Sequence, residues 1–297
     1  MNWTGVFPAV TTKFTNSDEL DLTAFSKNIT AQKEAGVHGI ILGGTLGEAS
    51  SLSTSEKEVL VKSSIETMEG SLPVILNIAE GSLKEAIHQV NLAKSWGVSG
   101  LMVLPPMRYF SDHRETVHYF SSIAQSTDLP IMIYNNPVDY KIEVTLKMFD
   151  ELQDQKNIQA VKESTRDISN ITRMINQFRD RFKILCGVDT LALESLFMGA
   201  HGWVAGLVCA FPKETMAIYQ LAKQGKTREA IQIYRWFLPL LELDIHPKLV
   251  QYIKLAEQLE GIGTEVVRAP RLTLIGEERE KIIGIIQKAQ KTRPVLS

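Results

Sequence analysis

The sequence predicts an α/β protein, a (β/α)8 TIM barrel with a helical C-terminal extension. Three observations carry this. A phrase recurs three times, "GVHGIILGG" from Gly36, "GVSGLMVLPP" from Gly97 and "GAHGWVAGLV" from Gly199. Eight short apolar runs alternate with eight helical stretches between residues 5 and 224. The first run leads into "TTKFTNSDELD", with none of the G-x-G-x-x-G that a dinucleotide-binding sheet would place there.

The recurring phrase reads as helix end, tight turn and buried strand. Its first Gly suits the residue after a helix, where positive φ costs a glycine little. The apolar run after it lacks polar alternation, as in a parallel strand covered on both faces. In chain order the strand candidates are 5–12, 36–44, 73–79, 97–106, 130–137, 158–165, 182–188 and 199–208. Helical stretches fall near 23–35, 54–69, 82–95, 112–126, 144–152, 169–178, 190–198 and 212–224. Ser53 with Glu56, and Ser82 with Glu85, are helix start signals. Strict alternation of this kind favours a barrel over a doubly wound sheet. Residues 1–224 are therefore expected to form the barrel and its active site. Residues 225–297 show helical spacing and no strand pattern, and are expected to form a helical extension packed on it.

The 297 residues are 44% hydrophobic and 22% charged, with a formal net charge of -2. The mean hydropathy of -0.03 and pI near 6.3 are those of an ordinary globular chain and do not point to nucleic acid. The two cysteines, Cys186 and Cys209, form no C-x-x-C, so a reducing compartment fits. The first residues lack the basic and apolar regions of a signal peptide, and no apolar run approaches a membrane span. A cytoplasmic location is expected, with no membrane or nucleic-acid partner.

In such a barrel the active site lies at the C-terminal ends of the strands. That rule selects "GGTLGE" (43–48), "LPPMRYF" (104–110), "YNNPVDY" (134–140), "KEST" (162–165) and "CGVD" (186–189). Alternation places Ile158, Ala160, Lys162 and Ser164 on one face of their strand. If that face points inward, burial lowers the pKa of Lys162 and leaves an amine able to attack a carbonyl. The competing reading is a structural lysine paired with Glu48 or Glu163. Tyr134 lies one strand away, where a phenol could move protons; packing its ring at the barrel rim is the alternative. "GGTLGE" lacks the Gly-Lys-Ser/Thr ending of a phosphate loop, but its turn could hold a carboxylate on backbone N–H groups beside the Thr45 hydroxyl. Gly44 belongs to the same turn. The six histidines are scattered and suggest no metal site, and no G-x-S-x-G supports a serine hydrolase. His38 and His201 occupy the polar slot of the repeated turn, which favours a structural role.

"GGTLGE", "YNNP" and "VKEST", in that order, resemble the dihydrodipicolinate synthase and N-acetylneuraminate lyase superfamily over nearly the whole chain. The resemblance implies a class I enzyme, without a cofactor, that holds a 2-oxo acid as an imine on Lys162. It implies Tyr134 as the proton-transferring tyrosine and Thr45, with the backbone near Leu46, as the carboxylate site. Gly187 and Val204 would line the imine pocket, and a homotetramer would be common. Three positions depart from the synthase pattern. Leu46 replaces a second threonine. Pro106 and Met107 stand where a relay tyrosine is expected after the fourth strand. Asp139 stands where the synthase has an arginine for a semialdehyde carboxylate. "LPPMRY", "YNNPVDY" and the C-terminal "VQYIKLAEQ" are most similar to the hydroxyproline-catabolic branch, which contains 1-pyrroline-4-hydroxy-2-carboxylate deaminase. That resemblance implies release of ammonia and 2,5-dioxopentanoate, with Asn136 and Asp139 facing the distal end of the substrate. A 2-oxo-3-deoxy sugar acid dehydratase, a pyruvate-dependent aldolase and a non-catalytic sensor are the alternatives.

Overall fold

The structure, a computed structural model, describes residues 1–296. Its strands are β1 (Gly5–Pro8), β2 (Ile40–Leu42), β3 (Val74–Ile78), β4 (Gly100–Val103), β5 (Ile131–Asn135), β6 (Ile158–Glu163), β7 (Lys183–Cys186) and β8 (Gly202–Ala205). The helices are α1 (Leu22–Ala35), α2 (Thr54–Met68), α3 (Leu83–Trp96), α4 (His113–Gln125), α5 (Pro137–Tyr140), α6 (Leu146–Leu152), α7 (Ser169–Phe178), α8 (Ala192–Phe197), α9 (Pro212–Lys223), α10 (Thr227–Leu241), α11 (Leu249–Leu259) and α12 (Gly276–Lys291). The strands are parallel and run β1-β8-β7-β6-β5-β4-β3-β2. A parallel bridge between Ala9 and Ile41 brings the two ends together, with the Val10 N–H donating to the Ile41 carbonyl at 2.9 Å. This is the (β/α)8 barrel read from the sequence.

The repeated phrase behaves as its residues require. Gly36, Gly97 and Gly199 adopt φ of 85°, 87° and 101° at helix ends. His38 and His201, in the polar slot, each accept through Nδ1 a backbone N–H of the neighbouring strand, Val6 and Ile184 respectively, at 3.1 Å. Both rings are partly buried, which lowers their pKa and keeps that acceptor nitrogen free of a proton. Ser53 forms a reciprocal capping box with Glu56 at the start of α2. At Ser82 the hydroxyl caps the Glu85 N–H.

Two apolar layers follow from the alternation along each strand. Phe7, Ile75, Met102, Met132 and Leu185 fill the barrel interior. Val103, Ile133 and Val161 face outward, against Val90, Ile123 and Phe149 of the helical ring. β6 departs from the simple alternation. A bulge sets Ile131 opposite Ile158 but Met132 opposite Ala160, so one extra residue, Gln159, is accommodated. Ile158 therefore packs in the outer layer while Ala160 faces inward. The expectation that Ile158 shares the face of Lys162 is corrected by that bulge.

The helices after α9 are joined to the barrel's own core. Phe237, Leu240 and Leu241 of α10 pack in the same cluster as Leu207 and Phe211. The Tyr234 hydroxyl donates to the Asp189 carbonyl at 3.1 Å. Two buried ion pairs hold α11 over the catalytic end: Lys254 with Glu48 at 2.7 Å and Lys13 with Glu257 at 2.9 Å. Among the described residues no helix is long and apolar enough to cross a membrane.

Candidate active site

Strand register places the central pair. Tyr134 on β5 lies directly opposite Lys162 on β6. Both side chains are nearly enclosed, at 9% and 7% exposure. The Lys162 Nζ sits 3.9 Å from the centroid of the Tyr134 ring. An ammonium would be held there by the ring face, whereas a neutral amine is free to move. Burial is the dominant influence and pushes the Lys162 pKa below its ordinary value; Tyr140 and Asp244 oppose it only in their ionised forms.

The two carboxylates considered as structural partners for Lys162 are engaged elsewhere. Glu48 pairs with Lys254 and accepts the Arg268 N–H at 3.1 Å. Glu163 accepts the Thr165 N–H at 2.8 Å and the Asn170 amide at 2.9 Å. Among the described residues Lys162 forms no ion pair, which removes the reading of a lysine held by either glutamate.

Gly187, at the end of β7, makes room for the lysine. A Cβ there would lie 2.6 Å from Lys162 Cγ and 2.7 Å from Cε. Thr45, Gly44 and Leu46 approach from the β2 loop, where Gly43 has a φ of 66°. The turn is held by the Asn77 amide on the Gly43 carbonyl and by the Thr12 hydroxyl on the Gly47 carbonyl. Among the described residues no backbone carbonyl accepts the N–H groups of Thr45 and Leu46. Two such donors at one turn suit an anionic carboxylate.

The segment after β5 differs from a simple strand end. Pro137 opens the one-turn helix α5, and the Asn136 side chain caps it by accepting the Asp139 N–H at 3.2 Å. The Asn136 amide donates to the Tyr134 hydroxyl at 3.1 Å and to Asp139 Oδ2 at 2.7 Å. Because Asn136 supplies that hydrogen, the phenolic proton of Tyr134 is left for another acceptor. Burial raises the Tyr134 pKa, so the phenol stays protonated.

This helical turn also delivers Tyr140, which the sequence reading had not singled out. Its ring meets Tyr134 edge-on, with centroids 5.5 Å apart, and its hydroxyl lies 2.8 Å from Thr45 Oγ1. Burial pushes its pKa up to about 12. A second tyrosine therefore stands beside Thr45, whereas Tyr109 of the loop after β4 is exposed and donates to Glu115 at 3.0 Å. Tyr140 reaches Thr45 from the loop after β5. Met107 lines an adjoining cavity with Lys57, Arg108 and Tyr140, rather than the cavity of Lys162.

One cavity of about 80 Å³ collects all nine residues selected from the sequence: Lys162, Tyr134, Thr45, Gly44, Leu46, Asn136, Asp139, Gly187 and Val204. The structure adds Ser164, Arg166, Gly206 and Asp244 to its wall. Arg166 is exposed at the rim, with a φ of 64°. Asp189 is close by but fully occupied, accepting the Trp203 indole N–H at 2.8 Å and the Leu207 N–H at 2.8 Å.

A buried amine, an adjacent phenol and an anion-binding turn at the mouth of a barrel are the parts of an imine-forming site. The profile of the Dihydrodipicolinate synthetase family matches residues 2–289. The chain belongs to that family. It is similar to a 4-hydroxy-tetrahydrodipicolinate synthase of Exiguobacterium sibiricum, 30% identical over 274 residues, covering 91% of this chain and 92% of that one. It is likewise 30% identical over 291 residues to an uncharacterized DapA-like lyase of Rhizobium meliloti, at 95% of each chain. Among solved structures it is similar to dihydrodipicolinate synthase from Aquifex aeolicus, with a TM-score of 0.92 and 26% identity over 97% of this chain and 98% of that one. Members of this family are lyases that act through a lysine Schiff base.

Proposed function

We propose that the protein is a Schiff-base lyase for a small 2-oxo acid or its cyclic imine, and specifically a 1-pyrroline-4-hydroxy-2-carboxylate deaminase. The observation that carries the reading is the set Lys162, Tyr134 and Thr45 in one cavity whose far side presents Asn136 and Asp139. A carboxylate at position 139 suits a hydroxyl or an amine at the far end of a substrate and repels a second carboxylate.

The chemistry runs in four steps. The substrate carboxylate docks on the N–H groups of Thr45 and Leu46. Lys162 adds to C2, and the C2–N bond of the ring breaks with the electron pair on nitrogen, leaving an open-chain imine with an amine on C5. The imine acidifies C3. Loss of that proton, assisted by Tyr134, is coupled to departure of the C4 hydroxyl as water. Shift of the new double bond toward C5 gives a second imine, and hydrolysis at C5 and C2 releases ammonia and 2,5-dioxopentanoate. One water is consumed overall. The lowered pKa of Lys162 serves the first step, since an ordinary lysine, with a pKa near 10.4, is free amine to only about one part in 10³ at neutral pH.

Arg166 at the rim favours a second reading, an aldolase or a sugar acid dehydratase whose substrate carries an anionic or hydroxylated tail. Coupled assays separate them. Ammonia from 1-pyrroline-4-hydroxy-2-carboxylate supports the deaminase. Pyruvate from a hydroxylated 2-oxo acid, without ammonia from the pyrroline, contradicts it and supports the aldolase. Dehydration of a 3-deoxy-2-oxo sugar acid alone supports the dehydratase.

The same reading carries a cytoplasmic homo-oligomer, a tetramer in the form common to the family. Tyr109 and Phe110, 56% and 70% exposed after β4, are large rings for a solvent-facing loop. Light scattering at micromolar concentration tests it, and a monomer would contradict it.

A further inference from the structure

Asp244 comes from outside the strand ends, in the 3-10 turn Glu242–Ile245 that follows α10. It lines the cavity of Lys162. Its Oδ1 is buried and has no hydrogen-bond partner. Gly206 leaves the space for it, because a Cβ at 206 would lie 2.1 Å from that oxygen. Three aspartates stand around the cavity, and their partners distinguish them. Asp189 is consumed by Trp203, Gly206 and Leu207. Asp139 is exposed and takes the Asn136 amide. Only Asp244 presents an enclosed, uncommitted carboxyl oxygen. Enclosing a carboxyl away from donors favours its protonated form, and Asp189 and Asp139 nearby act in the same direction, with Lys162 opposing them when it is charged.

We propose that Asp244 is the acid that protonates the departing C4 hydroxyl, a catalytic residue that the C-terminal extension contributes to the barrel. The inference rests on the Schiff-base reading above and assigns its elimination step. The C3–H electron pair becomes the C3=C4 bond, and the C3 proton passes to the Tyr134 oxygen as the phenolic proton is handed on to solvent. The C4–O bond breaks with its pair on oxygen, which takes the Asp244 proton and departs as water. Asp244, left as a carboxylate, regains a proton from solvent before the next turnover. This division leaves Tyr134 on the C3 side and Asp244 on the C4 side, so no single group must act as base and acid at once.

The test compares leaving groups. Asp244→Asn keeps the shape of the side chain and removes its acidity. The probes are 1-pyrroline-4-hydroxy-2-carboxylate and its 4-fluoro counterpart, since fluoride departs with less need of an acid. Exchange of C3 hydrogens in deuterium oxide reports imine formation and Tyr134 independently. Asp244→Asn should slow water loss by about 10²–10⁴-fold, slow fluoride loss by less than about tenfold, and leave C3 exchange measurable. Asp244→Gln and Asp244→Ala should show the same inequality. The proposal is overturned if the variant expels water at the wild-type rate, or if water loss and fluoride loss fall by the same factor. Absence of C3 exchange in the wild-type protein is a different failure, one that removes the Schiff-base reading and this inference with it.

Discussion

Lys162 Nζ lies 3.9 Å over the ring of Tyr134, across the β5–β6 register, and among the described residues no carboxylate pairs with it. The geometry sets a sign for the pH dependence. Burial lowers the folded-state pKa of Lys162, and the nucleophile is the unprotonated form. The limiting rate of imine formation should therefore rise with pH and level off below the ordinary lysine value of about 10.4. A pH–rate profile of single-turnover imine formation checks this. A limb that levels off only at or above the ordinary value would show that the amine is not desolvated in solution.

Tyr134 and Tyr140 should separate by role. The Asn136 amide fixes the Tyr134 hydroxyl, and Tyr140 reaches the site through Thr45. Tyr134→Phe should lower turnover by about 10²–10⁴-fold while the lysine adduct still forms. Tyr140→Phe should cost less, and most of its effect should disappear in the Thr45→Val background because the two act through one hydrogen bond. Additive losses in that double-variant cycle would dissociate them.

Gly187→Ala tests whether the space beside Lys162 is needed. The added Cβ would fall 2.6 Å from Lys162 Cγ and 2.1 Å from the Ser164 hydroxyl. Overpacking of this kind costs about 1–3 kcal/mol, and a displaced nucleophile of the order of an ångström costs about 10²-fold in rate. Thermal unfolding and the rate of adduct formation read the two effects. An alanine variant with unchanged rate would mean that the lysine reaches substrate by another path.

Glu48 is expected to matter for stability. It neutralises Lys254 at 2.7 Å, both side chains are fully buried, and burial lowers the Lys254 pKa to about 8 despite that partner. Glu48→Gln leaves the ammonium unpaired, and breaking a buried pair costs about 3–5 kcal/mol. Urea unfolding should show a fall in unfolding free energy of that size. Glu48→Gln with Lys254→Met should recover part of it, and a single variant as stable as wild type would contradict the account.

The barrel was legible because its signals are local. Glycines after helices and apolar runs between them recur within a few residues, as at Gly36 and Gly97. The cavity wall was legible for a related reason, since strand ends converge in any such barrel and Lys162, Tyr134 and Thr45 are polar where the strands stop. The missed residues depend on distant or irregular geometry. Tyr140 enters only because Pro137 and the Asn136 cap turn the chain helically for one turn. Asp244 follows an amphipathic helix in which a single acid carries no local mark. Ile158 was placed on the wrong face because a bulge at Gln159 breaks the alternation. Glu48 finds Lys254 across 206 positions, which no short-range pattern encodes.

The central claim is that Lys162 forms the imine, and trapping it is the most direct measurement. Borohydride added to the protein with 1-pyrroline-4-hydroxy-2-carboxylate, or with pyruvate, should reduce the imine to a stable secondary amine. Peptide mass spectrometry should then find the substrate-derived mass on Lys162 alone, and Lys162→Ala should give no adduct and no turnover. An unmodified Lys162, together with full turnover by Lys162→Ala, would contradict the account.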